Sequence, residues 1–267
     1  MNIFSKFGIL SLLSLSSMSN ALANNDVDFS KINSVQKEEL NKLIENYLLN
    51  NPEILIKMSD KIQEKQLIES NKKIIAVKDE LINNKNDPKI VNKNSKITVI
   101  EFFDYNCIYC LKMSKDFEGV IQKNNNVDYV FKEFPIFAGS NDTSLLSAIY
   151  GNKIYKEKGS AAYMTYHNSV FGSPREKENH NVINISSFNK ILTDMGYTVP
   201  LPKDEKQMYT DIIQKNMELG QKLGIQGTPA IIIIPNQDPK PEDVILKVGL
   251  TSPKELNDII NYLNNKL

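Results

Sequence analysis

The chain has 267 residues, of which 41% are hydrophobic and 24% are charged, an ordinary balance for a globular protein that buries a real core. Its 32 basic and 32 acidic side chains cancel, and Arg175 is the single arginine, so the charge pattern does not indicate nucleic-acid binding. This length allows one large domain, or one domain with an appendage.

The first 23 residues are predicted to form an export signal. Lys6 supplies a short basic start, residues 7–18 are apolar with serines, and Ala21-Leu22-Ala23 fits a small-x-small cleavage site after Ala23. The apolar run is too short for a stable membrane-spanning helix, and no later segment offers a long uncharged apolar run. We therefore expect a soluble, exported mature protein in an oxidising compartment.

Two helices are predicted after a polar tail at residues 24–33. Residues 34–50 place apolar side chains three and four positions apart, and Asn51-Pro52 ends this helix and begins the next. If the second helix runs unbroken from Pro52 to Ile82, it is about 45 Å long. Its apolar stripe either folds back on its own domain or packs against the same stripe of other subunits.

A strand, a pair of cysteines and a helix follow a linker at residues 83–96. Residues 97–103 are almost all apolar, as in a central strand covered on both faces, and Cys107-Ile108-Tyr109-Cys110 follows them closely. Apolar residues at helical spacing continue to Ile121, and residues 127–134 predict a second strand. The unit is therefore βαβ, and its sheet should contain parallel strands.

The remainder is predicted to be a helical block followed by two strands and a helix. No strand pattern is apparent from about residue 138 to residue 223. Four segments there have helical spacing: residues 144–158, 160–171, 187–195 and 204–223. Gly227-Thr228-Pro229 then leads into predicted strands at residues 230–234 and 244–248, and Ser252-Pro253-Lys254-Glu255 is a capping box for the last helix.

The only two cysteines, Cys107 and Cys110, are separated by two residues. A disulfide between them closes almost no chain loop, so it suits a bond that opens and closes reversibly better than a structural staple. A zinc or copper site needs more ligands than two sulfurs, and the two histidines, His167 and His180, belong to the helical block. We expect no metal and no cofactor beyond this redox-active pair, and His167 is expected to be a packed histidine.

Together these features resemble the exported thioredoxin-fold oxidoreductases of the DsbA type. Three segments carry the resemblance: Glu101-Phe102-Phe103-Asp104-Tyr105-Asn106-Cys107-Ile108-Tyr109-Cys110, Val130-Phe131-Lys132-Glu133-Phe134-Pro135 and Gly227-Thr228-Pro229-Ala230. It covers about residues 87–267. The resemblance implies an α/β thioredoxin fold with an inserted helical domain at about residues 138–223, preceded by an N-terminal helical arm.

The arm itself is similar to that of the suppressor-of-copper-sensitivity C proteins, above all in Leu48-Leu49-Asn50-Asn51-Pro52-Glu53-Ile54-Leu55. Some relatives with such arms are trimeric isomerases, so the similarity implies a homotrimer or other homo-oligomer through residues 34–84. The expected domains are the signal at residues 1–23, the arm and linker at residues 24–86, and the thioredoxin domain at residues 87–267.

The resemblance and the helix position together assign roles to site residues. Cys107 is the expected exposed nucleophile, because the start of a helix favours a thiolate, and Cys110 is the more buried resolving thiol. Glu101 is the expected proton carrier for Cys110 if it is buried, and has no such role if it lies at a wet strand end. Pro229 is expected to be cis, with the Thr228 backbone pairing with an extended substrate.

Tyr109 marks a departure from the best-known family pattern, which has Pro and His between the cysteines where this chain has Ile108 and Tyr109. A neutral tyrosine cannot stabilise a thiolate by charge, so a less oxidising disulfide is expected. The pKa of Cys107 should lie below that of free cysteine and above that of the strongest oxidants in the family. Tyr109 is also expected to contact substrate.

The expected function is thiol–disulfide exchange that forms or isomerises disulfide bonds in exported, periplasmic proteins, with a membrane redox partner that recycles the cysteines. The sequence does not choose between an oxidase and an isomerase. An alternative is a copper-binding or chaperone-like protein that uses the same thiols as soft ligands. No nucleic acid is expected among the partners, and association with the outer membrane is left open.

Overall fold

The computed structural model describes residues 33–176 and 182–267, so the predicted export signal at residues 1–23 lies outside the described residues, as does His180. Within this part of the chain, no helix combines the length and the apolar character needed to cross a membrane. The backbone divides into two compact units between Ser59 and Asp60.

The first unit contains helix α1, Ser34–Asn50, and the beginning of helix α2, Glu53–Ala76. Asn33 caps α1: its side chain accepts a hydrogen bond from the Gln36 N–H at 2.9 Å, and the Gln36 side chain accepts one from the Asn33 N–H at 3.1 Å. No residue of α1 is buried. Large apolar side chains are exposed along this unit: Leu43, Ile44, Tyr47, Leu49, Leu55, Ile56 and Met58.

The second unit is built around a mixed β-sheet. Its strands among the described residues are β1 (Lys89–Ile90), β2 (Ile97–Phe103), β3 (Asp128–Glu133), β4 (Arg175–Glu176), β5 (Val182–Ile183), β6 (Ala230–Pro235) and β7 (Ile245–Val248). Five of them form one sheet in the order β1-β3-β2-β6-β7. β2 and β3 are parallel, as predicted, and the other neighbours in this sheet are antiparallel.

The helices of the second unit follow the predicted order. They are α3 (Lys78–Ile82), α4 (Ile108–Lys123), α5 (Asp142–Phe171), α6 (Ile185–Asp194), α7 (Lys203–Lys222) and α8 (Pro253–Lys266). Gly159 interrupts α5 with a φ of 79°, which separates the two helices predicted there. Ser252 caps α8 as predicted, because its hydroxyl oxygen accepts the Glu255 N–H at 3.2 Å.

Strand β2 is the centre of the fold, since all seven of its residues are buried. Alternation along the strand places Glu101 and Phe103 on one face of the sheet and Ile100 and Phe102 on the other. The first face, which we call the thiol face, carries the hydrophobic cluster that contains both cysteines. The opposite face packs against a second cluster that includes the end of α2 and the end of α7. The cysteines therefore belong to the core of the fold.

The long helix predicted from Pro52 to Ile82 is broken at Val77, between α2 and α3. Ile74, Val77 and Leu81 are buried in the cluster on the opposite face of the sheet. This part of the stripe therefore folds back on its own domain, although the sequence interpretation assigned residues up to 86 to the arm and linker. The reason is that the second face of β2 and β6 needs an apolar cover.

Short strands are the main elements that the sequence interpretation missed. β4 and β5 pair in the middle of the expected helical block, and β1 lies within the expected linker. Each has two residues, which is too few for alternation to appear in the sequence. The Val199–Pro200 bond is also cis, which the sequence did not predict.

The buried ion pair between Asp87 and Lys132 allows the packing of the second unit to be tested. Both side chains are fully buried, Asn216 donates to Asp87 at 3.0 Å, and Lys132 also donates to the Glu80 carbonyl at 2.7 Å. Asp87→Ala leaves the lysine charge buried without its partner, so we expect a loss of about 3–5 kcal/mol in the free energy of unfolding. Urea denaturation followed by circular dichroism measures it.

The matched control is Lys254→Ala, which breaks an exposed ion pair with Asp258. This variant should keep the urea midpoint of the parent protein, because exposed pairs contribute little. Equal midpoints for Asp87→Ala and Lys254→Ala would contradict a structural role for the buried pair.

Candidate active site

Cys107 lies between the end of β2 and the start of α4, where it is the N-cap residue. Its thiol donates to the carbonyl oxygen of Thr228, with Sγ 3.3 Å from that oxygen. Cys107 is only 4% exposed, whereas the next two residues, Ile108 and Tyr109, are 36% and 53% exposed. The predicted exposure of Cys107 is therefore wrong, because the thiol is turned towards the Thr228 carbonyl, although Cys110, at 0% exposed, is the more buried of the two as predicted. The residues exposed to solvent are instead Ile108 and Tyr109, between the two cysteines.

Cys107 and Cys110 are both free thiols, and their proton affinities are shifted in opposite directions. Hydrogen bonds lower the pKa of Cys107 to about 6 against the opposing effect of burial, and the largest contribution is the bond donated by the Cys110 thiol. The Thr228 hydroxyl and the backbone N–H groups of Cys110 and Tyr109 make the smaller contributions to this shift. Burial raises the pKa of Cys110 well above its ordinary value. At neutral pH, Cys107 is therefore a thiolate and Cys110 keeps its proton.

The loop before β6 closes over the nucleophile. The Thr228–Pro229 peptide bond is cis, as predicted. The Pro229 carbonyl accepts a hydrogen bond from the Gly249 N–H at 2.8 Å, which ties this loop to the residue that follows β7. The buried Thr228 hydroxyl has no hydrogen-bond partner among the described residues. A hydroxyl donor beside Cys107 favours the thiolate, and the Thr228 side chain accordingly lowers the pKa of Cys107.

Glu101 is buried on the thiol face of β2, with 2% of its surface exposed, so the alternative of a wet strand end is wrong. Burial raises the pKa of its carboxyl to about 8, and Glu101 in turn raises the pKa of Cys110. Its Oε2 atom has no hydrogen-bond partner among the described residues. A carboxyl that titrates near neutral pH beside a buried thiol can exchange a proton with it.

The active-site turn, residues 104–106, is held by the carboxylate of Asp104. Its Oδ2 atom accepts hydrogen bonds from the Phe137 N–H at 2.9 Å and from the Ser144 hydroxyl at 2.7 Å. Its Oδ1 atom accepts the Asn106 N–H at 2.8 Å. The carboxylate thereby fixes the turn to the start of α5 in the helical insertion.

Other groups of the helical insertion hold the same turn. The Asn106 side chain donates to the Thr143 hydroxyl at 2.9 Å and accepts the Ile183 N–H at 3.0 Å. The guanidinium of Arg175 donates to the Tyr105 carbonyl at 2.7 Å. The sequence interpretation missed these contacts because they join residues far apart in the chain. The one local signal was that Arg175 is the single arginine among many lysines.

His167 is buried, as predicted, and packs against aromatic rings that include Phe103 and Phe131. Burial lowers the pKa of its imidazole to about 3, so the ring is neutral at physiological pH. Over residues 33–176 and 182–267, no three potential ligands among His, Cys, Asp and Glu lie close enough together to hold a metal ion. The chemistry that the described site supports is that of the two thiols.

Comparison with known proteins identifies the family. The family model described as thioredoxin matches residues 83–240, which is more than half of the chain. The chain belongs to the thioredoxin family. A second model, described as the N-terminal domain of the copper resistance protein ScsC, matches residues 36–66.

Individual relatives agree with this thioredoxin-family assignment. Disulfide bond formation protein D of Bacillus subtilis is 25% identical over 155 residues, which cover 56% of this chain and 68% of that protein. A linker-deletion mutant of Proteus mirabilis ScsC has a TM-score of 0.61 at 23% identity and covers 89% of this chain and 99% of its own. BcfH of Salmonella enterica Typhimurium has a TM-score of 0.62 at 23% identity and covers 85% and 95%, respectively.

The family, its curated relative and the paired thiols agree on one type of chemistry. This thioredoxin-family protein is a thiol–disulfide oxidoreductase with an N-terminal segment similar to that of ScsC. The resemblance read from the sequence is confirmed for the family and for the fold.

The hydrogen bond between the two thiols can be tested through the pKa of Cys107. Cys110→Ala removes the donor and should raise that pKa by about one unit, the equivalent of one hydrogen bond. Cys110→Ser keeps an O–H donor in the same position and should raise it less. Titration of the ultraviolet absorbance of the thiolate measures both. A parent pKa equal to that of free cysteine would refute the argument from the helix start and from the thiol donor alike.

Proposed function

We propose that this oxidoreductase forms or isomerises disulfide bonds in exported proteins through the Cys107–Cys110 dithiol and disulfide. The observation that carries the proposal is the opposite shift of the two thiols. As a thiolate, Cys107 attacks a substrate disulfide, and in the Cys107–Cys110 disulfide its sulfur is attacked by a substrate thiolate. Cys110 keeps its proton until it attacks the mixed disulfide. The predicted export signal and the oxidising compartment that it implies agree with this substrate class.

In the oxidising direction, a substrate thiolate attacks the Cys107 sulfur of the Cys107–Cys110 disulfide. A mixed disulfide forms at Cys107, and the Cys110 sulfur leaves with the electron pair of the broken bond and takes a proton from Glu101. A second substrate thiolate then attacks the substrate sulfur of the mixed disulfide and releases the Cys107 thiolate. The substrate has gained one disulfide, and a membrane redox partner oxidises Cys107 and Cys110 back to their disulfide.

In the isomerising direction, the Cys107 thiolate attacks a wrongly paired substrate disulfide and releases one substrate thiolate. A different substrate thiolate attacks the mixed disulfide and releases Cys107 unchanged, so no electrons are gained or lost overall. A disulfide less oxidising than that of the strongest family members favours this direction, and the neutral Tyr109 beside Cys107 supports that expectation.

Thr228, Pro229 and Tyr109 form the substrate-binding side of the site in this proposal. The Thr228 carbonyl accepts a hydrogen bond from Cys107 when its thiol is protonated, and this acceptor becomes free when the thiol loses its proton. It is then available to a backbone N–H of an extended substrate next to the nucleophile. The exposed Tyr109 ring, with the Lys112 ammonium 5.4 Å from its centre, offers an apolar and cationic surface beside it.

The function is tested by reduction of insulin and by reactivation of scrambled ribonuclease. We expect the parent protein to be active in at least the second assay and Cys107→Ser to fall to background, because serine does not attack disulfides. The copper-binding alternative predicts that the parent and the variant are both inactive while the parent binds Cu(I) through its two thiols. Redox potential, measured against glutathione, separates an oxidase from an isomerase.

The N-terminal arm is proposed to join several copies of the chain into a homotrimer or other homo-oligomer. Large apolar side chains of the first unit, such as Leu43, Tyr47 and Leu55, are more than half exposed in the single chain. Apolar stripes of this kind are covered in stable proteins, and the match to the ScsC N-terminal domain falls on the same segment. Several active sites in one assembly suit an isomerase.

Deletion of residues 24–59 tests this arrangement. Removal of residues 34–84 would also delete Ile74, Val77 and Leu81 from the core, so the cut is placed at the boundary between the two units. We expect the shortened protein to keep the low pKa of Cys107 and its activity on insulin, but to become a monomer with reduced reactivation of scrambled ribonuclease. Light scattering gives the mass. An unchanged mass and unchanged reactivation would refute the proposed role of the arm.

A further inference from the structure

Glu133 is a second buried carboxyl on the thiol face, and the mechanism above does not use it. It is 1% exposed at the end of β3. Its Oε1 atom accepts hydrogen bonds from the hydroxyls of Tyr105 and Tyr163, each at 3.2 Å. The Nδ1 atom of His167 lies 3.3 Å from the Tyr105 hydroxyl and 3.5 Å from the Tyr163 hydroxyl. The carboxyl therefore joins β3, the active-site turn and α5 through neutral groups.

The fold makes room for this carboxyl. Gly151 of α5 faces Glu133, and a Cβ atom at that position would lie 2.5 Å from Oε1. Any larger residue would push the carboxyl out of its place between the two tyrosines. The absence of a side chain at this point in a long helix is explained by the close approach of Glu133.

Glu133 and Glu101 share one face of the sheet. The parallel register pairs Glu101 with Phe131 and Phe103 with Glu133, so all four side chains project to the thiol face. Glu101 and Glu133 are thus diagonal neighbours on adjacent strands, and the Glu101 carboxyl is close enough to raise the pKa of Glu133. The Oε2 atoms of both glutamates are buried and have no hydrogen-bond partner among the described residues. Two unpartnered carboxyl oxygens on neighbouring strands satisfy each other if one of them carries a proton.

We propose that Glu133 is a positioning residue for proton transfer between Cys110 and Glu101: held by Tyr105 and Tyr163, it stays a neutral acid and donates its proton towards Oε2 of Glu101. The inference rests on the proposed role of Glu101 as the proton carrier. The neutral acid uses Oε1 as the acceptor for the tyrosines and Oε2 as the donor, which satisfies the whole group.

The charges around Glu133 favour this protonation state. Burial raises its pKa well above the ordinary value, and the nearby carboxyls of Asp104 on the active-site turn and Glu101 on β2 raise it further, against the hydrogen bonds from the two tyrosines. The other titratable neighbour is His167 on α5, which is neutral. Among the main causes of this shift, only the two tyrosine hydrogen bonds favour the carboxylate, and burial outweighs them.

A hydrogen bond from Glu133 should shift the pH dependence of the attack by Cys110 to lower pH. When Cys110 attacks the mixed disulfide, its sulfur bonds to the Cys107 sulfur, the bond to the substrate sulfur breaks, and the proton of Cys110 goes to the Glu101 carboxylate. This step accelerates as the pH rises through the pKa of Glu101, because only the carboxylate accepts the proton. A donor at Glu133 stabilises that carboxylate, so removing the donor raises the pKa of Glu101 and moves the profile to higher pH.

An aromatic disulfide reagent that releases a coloured thiolate separates the two steps in the full-length protein. The first release reports the attack by Cys107, and the second reports the attack by Cys110. In the parent, the second release should rise with a midpoint near the pKa of Glu101, which is about 8. Glu133→Leu should move this midpoint up by about one unit. Glu133→Gln should move it less, because the amide still donates, and Glu101→Gln should abolish the rise.

The outcomes distinguish the two proposals. If Glu101→Gln keeps the rise, the proton role of Glu101 fails. If Glu101→Gln abolishes it while Glu133→Leu leaves the midpoint in place, or if Glu133→Gln shifts it as far as Glu133→Leu, the inference about Glu133 alone is overturned.

A spectroscopic measurement does not depend on activity or on the stability of the leucine variant. The infrared C=O band of a neutral carboxylic acid should be present in the parent at pH values above the titration of Glu101, and Glu133→Gln should remove it. A parent protein without this band holds Glu133 as a carboxylate, which would overturn the inference.

Discussion

The burial of Cys110 and Glu101 between α4 and the sheet is the constraint on which the chemistry depends. In water these groups would titrate far apart, with the carboxyl ionised and the thiol protonated at neutral pH. Removal from solvent raises the pKa of Glu101 to about 8, into the range where it can accept and release a proton. The same burial keeps Cys110 protonated, and its S–H then lowers the pKa of Cys107. The burial of Cys110 and Glu101 therefore accounts for both the low pKa of the nucleophile, Cys107, and the raised pKa of the proton carrier, Glu101.

Cys110 and Glu101 are buried because β2 is covered on both faces. The thiol face is covered by α4, α8 and the helical insertion, and the opposite face by the end of α2, by α3 and by α7. The end of α2 thus has a structural role within the catalytic unit, which is distinct from the oligomerising role proposed for the first unit. A central strand with a glutamate in it is stable only if that glutamate can stay neutral, since a buried charge without a partner is costly.

Besides covering the thiol face, the helical insertion positions residues of the active site. It supplies Ser144, Thr143 and Arg175 to the active-site turn, and it supplies Tyr163 and His167 to the group around Glu133. Together with the packing of Tyr105 against the aromatic rings of Phe103, Tyr166 and Phe171, these hydrogen bonds hold the turn that leads to Cys107. The position of the nucleophile is therefore determined by a part of the chain that begins more than thirty residues later.

The sequence alone determined the features that are local in the chain. These were the order of strand, CxxC and helix and the apolar character of β2 with Glu101 in it, because patterns of neighbouring residues predict both. The cis bond at Pro229 was predicted from the family resemblance of Gly227-Thr228-Pro229-Ala230 and from the strand that follows it. The tertiary structure alone decided the burial of Cys107 against Thr228, the return of α2 onto its own domain and the contacts of Glu133. These features depend on residues from distant segments of the chain. The pattern of neighbouring residues does not predict how such segments pack together.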